Sequence, residues 1–344
     1  MQLTENTRVG ILLQGGIKGN HGKTGLAFLR YSKTNVIVVV DFETAGESLS
    51  ELTTIDRDIP IVKDVSVALN YQPDVFLIGI APSGGQLPAA FLTGIAIAVK
   101  AGVSIVNGLH TPLTTQFFGE LQPGQEIWDI RQEPAGLSIG SGKARSLAAQ
   151  RILTVGTDMA IGKMSTSLEL YRAALARGIK AQFVATGQAG IAIAGQGIAL
   201  DAVRVDFAAG AVEKTVLELG ADRDLVIIEG QGSLLHPGST ATLPLIRGSQ
   251  PTSLVLVHRA EATHIHDLPN FLIPPLPEVI RLYETVAGGI FGEVKVKAIA
   301  LNTYGMNEER ANAIIQSTSQ LTGLPCSDVV RFGGGTLLSA VSAK

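Results

Sequence analysis

"VGTDMAIGKMSTS", residues 155–167, separates Gly156 from the pair Gly162-Lys163 by five residues, between the apolar run "RILTVG" and the helical pattern "MSTSLELYRAALARG". Strand, glycine loop and helix in this order make a phosphate cradle. Amides at the helix start point toward an anion, the helix dipole favours it, and a lysine adds a mobile charge. The usual loop of this kind has one residue fewer between its glycines and a Ser or Thr directly after the lysine. Here Met164 occupies that position, and a thioether cannot coordinate Mg²⁺, a hard ion that takes oxygen. Ser165 or Thr166 reaches inward only if the helix starts differently. Gly156, Thr157, Asp158, Gly162, Lys163 and Ser165 are therefore read as a site for holding phosphate more securely than for splitting it. The bland alternative is a glycine turn that packs a strand on a helix.

The rest of the chain alternates in the same way. Residues 9–130 contain "VGILL", a helical pattern from about Lys23, "NVIVVV", "VFLIGI", a helix through "PAAFLTGIAIAVKA", and "VSIVNG". A second series runs "RILTVG", a helix from Lys163 to Arg177, "AQFVAT", "DLVIIEG", "SLVLVH", a helix near Pro277 to Ala287, "VKAIALN" and a long helix from Glu308. Short β-branched runs alternating with helices imply parallel strands with crossover helices. The expectation is an α/β protein with two mainly parallel sheets. Proline, glycine and serine without a strong period in "RQEPAGLSIGSGKARSLAAQ" place the boundary near residues 131–150, giving domains 1–146 and 147–344.

The totals agree with this. A chain of 344 residues can bury two interiors, and 46% hydrophobic with 17% charged residues, 39 glycines and 5% aromatics suits a turn-rich α/β enzyme. A formal charge of −3 offers no basic field to nucleic acid or anionic membrane, so the expected partner is a small-molecule substrate. Cys326 is the single cysteine, which rules out an internal disulfide and a cysteine zinc cluster and fits a reducing compartment. "MQLTENTRVG" lacks the basic start and apolar core of an export signal, and "PAAFLTGIAIAV", broken by Thr93 and Gly94, is far shorter than a membrane span. A cytoplasmic protein is expected, with symmetric self-association an ordinary expectation.

Two other loops look alike. In "QGGIKGNHGKTG" the glycine Gly16 and the run Gly22-Lys23-Thr24 have the same spacing and follow "VGILL", but no later strand of that half ends in a carboxylate like that of "LVIIEG", unless Asp41 serves. A structural or substrate-loop role and nucleotide binding both stay open there. "GSGKA" at 140–144 lacks a preceding strand and reads as linker.

Open α/β sheets bind ligands beyond the carboxyl ends of their strands. "DLVIIEGQGSLLHPG" brings Glu229, Gln231, Ser233 and His236 to such an end. Glu229 can hold a metal-bound water or orient a base, and His236 can take a proton near neutral pH, although a glycine-rich turn also simply tolerates polar residues. "FVATGQAGIAIAGQG" offers amides and Gln188. "SLVLVHRAEATHIHD" supplies His258, Arg259, His264 and His266, but without acidic or cysteine ligands at metal spacing no metal site is expected. "VKAIALNTYG" puts Asn302 where its amide can read adenine or close a side-chain turn.

These stretches in this order, together with "HGKTGLAFLRY", resemble a bacterial and archaeal family labelled as a domain of unknown function, whose members have been assigned as D-glutamate N-acetyltransferases. The resemblance covers nearly the whole chain and implies a Rossmann-like amino-terminal domain and a P-loop carboxy-terminal domain. The loop is also similar to that of dethiobiotin synthetase, which shares the "GTD" opening and the "EG" turn but carries Thr after the lysine. The first resemblance implies transfer of acetyl from acetyl-CoA to the amine of D-glutamate or a similar amino acid. Chemistry then suggests that the loop and Asn302 hold cofactor phosphates and adenine, and that His236 acts as base, oriented by Glu229. Gln188, Gln231 and Ser233 would contact substrate, and Arg259, Arg247 or Arg331 a carboxylate. The rivals are a ligase or carboxylase using ATP and Mg²⁺ and a non-catalytic nucleotide sensor.

Overall fold

The computed structural model describes residues 1, 3–19, 21–289 and 292–342, and the chain forms two compact units. Met1–Glu133 and Gln188–Ala202 make the first, Pro134–Gly187 and Val203–Lys344 the second. This differs from a single division after residue 146, for two local reasons. The stretch 140–143 is held in the second unit by Glu213, whose carboxylate accepts from Ser141 N (3.1 Å), Ser141 Oγ (2.7 Å) and Lys143 N (2.7 Å). The "GSGKA" amides do cradle an anion, one supplied by the chain itself. The small apolar residues after Gly187 form the helix Gln188–Ala194, which packs on the helix Lys23–Tyr31 of the first unit.

The first unit holds β1 (Arg8–Leu12), β2 (Asn35–Val40), β3 (Ile61–Val62), β4 (Val75–Ile78), β5 (Ser104–Asn107) and β6 (Ile127–Asp129). They pair in parallel in the order β3-β2-β1-β4-β5-β6. Leu12, Val38, Val40, Phe76, Ile78, Ile95 and Ile105 pack into one core, which explains why these runs are continuously apolar.

In the second unit β7 (Gln150–Gly156), β8 (Ala181–Val184), β9 (Leu225–Ile228), β10 (Ser253–Arg259), β13 (Lys295–Asn302) and β14 (Cys326–Ser327) form a parallel sheet in the order β14-β13-β10-β7-β9-β8. A hairpin of β11 (His264–Ile265) and β12 (Leu268–Leu272) follows β10. Ile152, Leu170, Ile227, Val255, Val257, Leu337 and Leu338 form this unit's core. Because β8 and β9 lie to one side of β7 and β10, β13 and β14 to the other, the loop after β7 sits where the sheet changes direction of winding, the position at which such sheets bind ligands. Among the described residues no helix is long and apolar enough to cross a membrane.

Candidate phosphate-binding site

The quoted loop folds as its spacing requires. β7 ends at Gly156, the loop passes through Gly162 at φ 114°, and the helix Lys163–Ala176 begins at the lysine. Gly162 stands where a side chain would be strained, and a Cβ on Gly156 would come within 3.2 Å of Lys163 Nζ. Lys163 is 5% exposed and donates through Nζ to Asp158 O at 2.6 Å. Burial brings its pKa down to about 8, with the charges of Asp158 and Glu229 acting the other way. A phosphate at this loop would restore a partner for the ammonium form.

The loop is braced from every side. Thr157 N donates to Val257 O, and Thr157 Oγ1 lies 2.9 Å from His258 Nδ1. Asp158 accepts from Met159 N (2.6 Å) and His266 N (2.7 Å), so its carboxylate shapes the loop. Asn302 Nδ2 donates to Ile161 O (3.1 Å) while its Oδ1 accepts from Tyr304 N (3.0 Å). That is the side-chain turn, with the amide engaged on the loop rather than presented to a base. The Thr166 hydroxyl donates to Gly162 O at 3.0 Å, so it does not replace the oxygen missing at Met164, and Ser165 is half-buried on the helix's first turn.

Glu229 follows β9 and is 2% exposed. Its Oε2 accepts from Thr186 N (2.8 Å) and Gly187 N (3.2 Å), and its Oε1 from Gln231 Nε2 (3.1 Å). Gly230 must be glycine, since a Cβ would lie 1.8 Å from Thr154 O and 3.0 Å from Lys163 Cδ. Through its amide, Gly230 also donates to Thr154 Oγ1 (2.9 Å). Ser233 closes its own turn, its N donating to Ser239 Oγ and its Oγ accepting from Leu235 N, and its side chain also bonds Tyr283.

His236 is half-buried in that turn, and its Nδ1 accepts from Gly238 N at 3.0 Å. This bond leaves the ring proton of the neutral imidazole on Nε2, so His236 is set to donate, not to take a proton from an amine. The expected orientation of His236 by Glu229 stays a proposal beside the bonds of Glu229 to Thr186, Gly187 and Gln231. Of the arginines, Arg259 is exposed at the end of β10. Arg331 is committed to Thr303 Oγ1 (2.8 Å) and to the carbonyls of Thr303 and Met306. Arg247 lies at the end of the helix Thr242–Ser249, which returns to the amino-terminal edge of the sheet. Gln188 belongs to the first unit, 3.5 Å from Thr24 Oγ1.

Three functional groups escape a reading by motif. Tyr283 is fully buried, donating to Gly156 O (2.7 Å) and accepting from Leu234 N (3.1 Å), so one hydroxyl ties the phosphate loop to the Glu229 loop. His258, weighed only as a metal ligand, instead supports Thr157, and burial lowers its pKa to about 4. Thr154 hides its hydroxyl inside an apolar strand. Among the described residues no His, Cys, Asp and Glu group could hold a metal ion.

Two family models match: the P-loop domain of the DUF1611 domain of unknown function over residues 138–338, and its Rossmann-like amino-terminal domain over 42–133. The chain belongs to the DUF1611 family. The crystal structure of a DUF1611 family protein from Anabaena variabilis is 60% identical with a TM-score of 0.95, covering 98% of this chain and 99% of that one. A D-glutamate N-acetyltransferase from a Pseudoalteromonas species is 38% identical over 273 residues, 77% of this chain and 80% of that protein. Another from Tritonibacter scottomollicae is 36% identical over 272 residues, 78% and 80% respectively. The Rossmann-like and P-loop architecture implied by the motifs is thus the architecture of the chain.

Proposed function

We propose that this DUF1611 protein is an N-acetyltransferase that moves acetyl from acetyl-CoA to the amine of D-glutamate or a similar amino acid. The activity of the two curated relatives supports the reaction class. The observation that carries the role of the loop is a phosphate cradle with a methionine at its metal position and the nearest threonine hydroxyl tied to Gly162 O. Such a loop can hold the phosphates of a coenzyme without cleaving one, because phosphate binding needs amides and the lysine, whereas phosphoryl transfer also needs the metal.

In this reading Gly156, Thr157, Asp158, Gly162, Lys163 and Ser165 form the phosphate-binding turn, with Asn302 as its brace. The acceptor amine must lose a proton as its nitrogen attacks the thioester carbon, and the thiolate of CoA must leave. Glu229 takes that proton. His236, with its proton on Nε2, donates a hydrogen bond to the carbonyl oxygen as charge develops there, with the 230–233 amides as further donors. Gln231 orients Glu229. Arg259 remains a candidate contact to acceptor.

Paired substitutions test the assignment. Lys163→Ala should raise the KM for acetyl-CoA at least about tenfold, the loss of one charge-assisted contact of about 1.5–3 kcal/mol, while the amide cradle remains. Met164→Thr restores a metal-binding hydroxyl and should bring no ATP turnover. Mg²⁺-dependent ATP hydrolysis by wild type, increased by Met164→Thr, would instead identify a phosphoryl-transfer enzyme.

A further inference from the structure

The first unit carries a group of basic side chains that the phosphate-binding loop does not use. Its sheet reverses winding at β1 and β4, and the carboxyl ends beside that reversal are where open parallel sheets take ligands. The helix Lys23–Tyr31 begins there, without an acidic residue in its first turn or a side-chain cap. Arg131 follows β6 and His110 follows β5. Arg131 Nη2 lies 3.2 Å from Asp201 Oδ2, and His110 Nε2 lies 3.8 Å from the same oxygen. The Arg131 side chain is only 10% exposed, and its buried Nε has no hydrogen-bond partner among the described residues. The turn after β4 lies against both: a Cβ on Gly85 would come 2.3 Å from His110 Cδ2 and 2.8 Å from Arg131 Nη1.

These groups oppose one another. Burial, then the charge of Arg131, lowers the pKa of Lys23, and the same two causes lower that of His110 against Asp201. Two permanent cations, a histidine and one shared carboxylate therefore leave an excess of positive charge around an unpaired buried N–H. An anion would relieve both conditions.

A dinucleotide fits poorly. The carboxylate that would take its ribose is that of Asp41 after β2, and Asp41 is fully buried, accepting from Ile17 N (3.1 Å) and Glu43 N (3.0 Å). The glycine loop is also closed on itself, since a Cβ on Gly22 would lie 2.2 Å from Gly16 O. Asn20 of that loop lies outside the described residues.

We propose that this edge of the first unit binds a carboxylate of the amino-acid acceptor, with Arg131 and Lys23 as its charged contacts and His110 and Thr24 as neutral ones. The ligand class rests on the transferase reading. The planar, bidentate donor edge of Arg131 favours a carboxylate, and none of the arginines near the phosphate loop offers the same buried, partly unpaired guanidinium.

Calorimetric titration of D-glutamate, of glutarate (which lacks the amine) and of inorganic phosphate tests this on wild type, Arg131→Met and Lys23→Gln. Lys23 is exposed as a residue although its ammonium is partly shielded from water, so its variant should keep the fold even if loss of Arg131 disturbs it. Both dicarboxylates should bind wild type, with a loss of at least about tenfold in Lys23→Gln and more in folded Arg131→Met, while acetyl-CoA affinity stays within about twofold. Unchanged D-glutamate affinity in folded variants overturns the site even if wild type releases CoA with D-glutamate. Phosphate binding lost in the variants, with dicarboxylate affinity unchanged, overturns it as well. If wild type releases no CoA with any acceptor, yet glutarate binds and the variants lose it, the transferase reading fails and the carboxylate site stands.

Discussion

Replacing Tyr283 by Phe removes one oxygen and keeps the shape of a fully buried ring. Its hydroxyl holds Gly156 O at 2.7 Å and Leu234 N at 3.1 Å, so the change leaves a loop carbonyl and an amide of the Glu229 loop without their partner. Each unpaired buried group costs about 1–3 kcal/mol, so the two together should cost about 2–6 kcal/mol. For a unit of this size that is a fall in Tm of roughly 4–24 °C. Burial raises the Tyr283 pKa against hydrogen bonds with Leu234, Ser233 and Gly156, the last accepting at its carbonyl, so the hydroxyl stays a donor across the working range. Thermal unfolding of the second unit reads the stability, and initial rates at varied acetyl-CoA read the site. On the proposed coenzyme role of the loop, the KM should rise several-fold because the loop loses its tie, and glutamate saturation should change less. A variant whose Tm stays within about 1 °C of wild type, with an unchanged KM, would show that the hydroxyl does not organise the loop.

Three further outcomes follow from burial around the loop. Lys163 titrates at about 8 when folded against 10.5 unfolded, so between these values the unfolded chain binds more protons and stability should rise with pH by up to about 3 kcal/mol; urea midpoints of wild type should show that gain and those of Lys163→Met should not. His258, at about 4 against 6.5, makes stability fall as pH drops through that window; His258→Gln should remove up to about 3 kcal/mol of the decline, measured as the wild-type minus variant difference. Gly230→Ala sets a Cβ 1.8 Å from Thr154 O and should cost at least about 3 kcal/mol in denaturant unfolding, whereas Gly178→Ala on an open turn should cost far less.

What could be read from residues alone follows the range of the interactions. β-branched runs and the glycine-lysine loop are local signals, and they located the strands and the start of the helix at Lys163. The helix Gln188–Ala194 was missed because "QAGIAIA" lies between glycines and carries no polar face to show a period. It forms because its small residues pack on the helix Lys23–Tyr31. The sequence shows His236 in a glycine-rich turn but not its tautomer, since the Gly238 amide that donates to its Nδ1 is a matter of backbone geometry. Tyr283 reaches Gly156 across 127 positions, and Lys23, His110, Arg131 and Asp201 come from four separate segments. Long-range convergence of this kind leaves no motif.

The proposed role of the phosphate loop is to hold a coenzyme whose phosphates are not cleaved. It is tested most directly by measuring thiol release from acetyl-CoA and phosphate release from ATP in parallel, on the full chain, across a panel of L- and D-amino acids. CoA release should depend on D-glutamate or a close analogue and should need at least about tenfold more acetyl-CoA in Lys163→Ala, with no acceptor-dependent ATP turnover. Robust ATP hydrolysis without CoA release for any acceptor would contradict it.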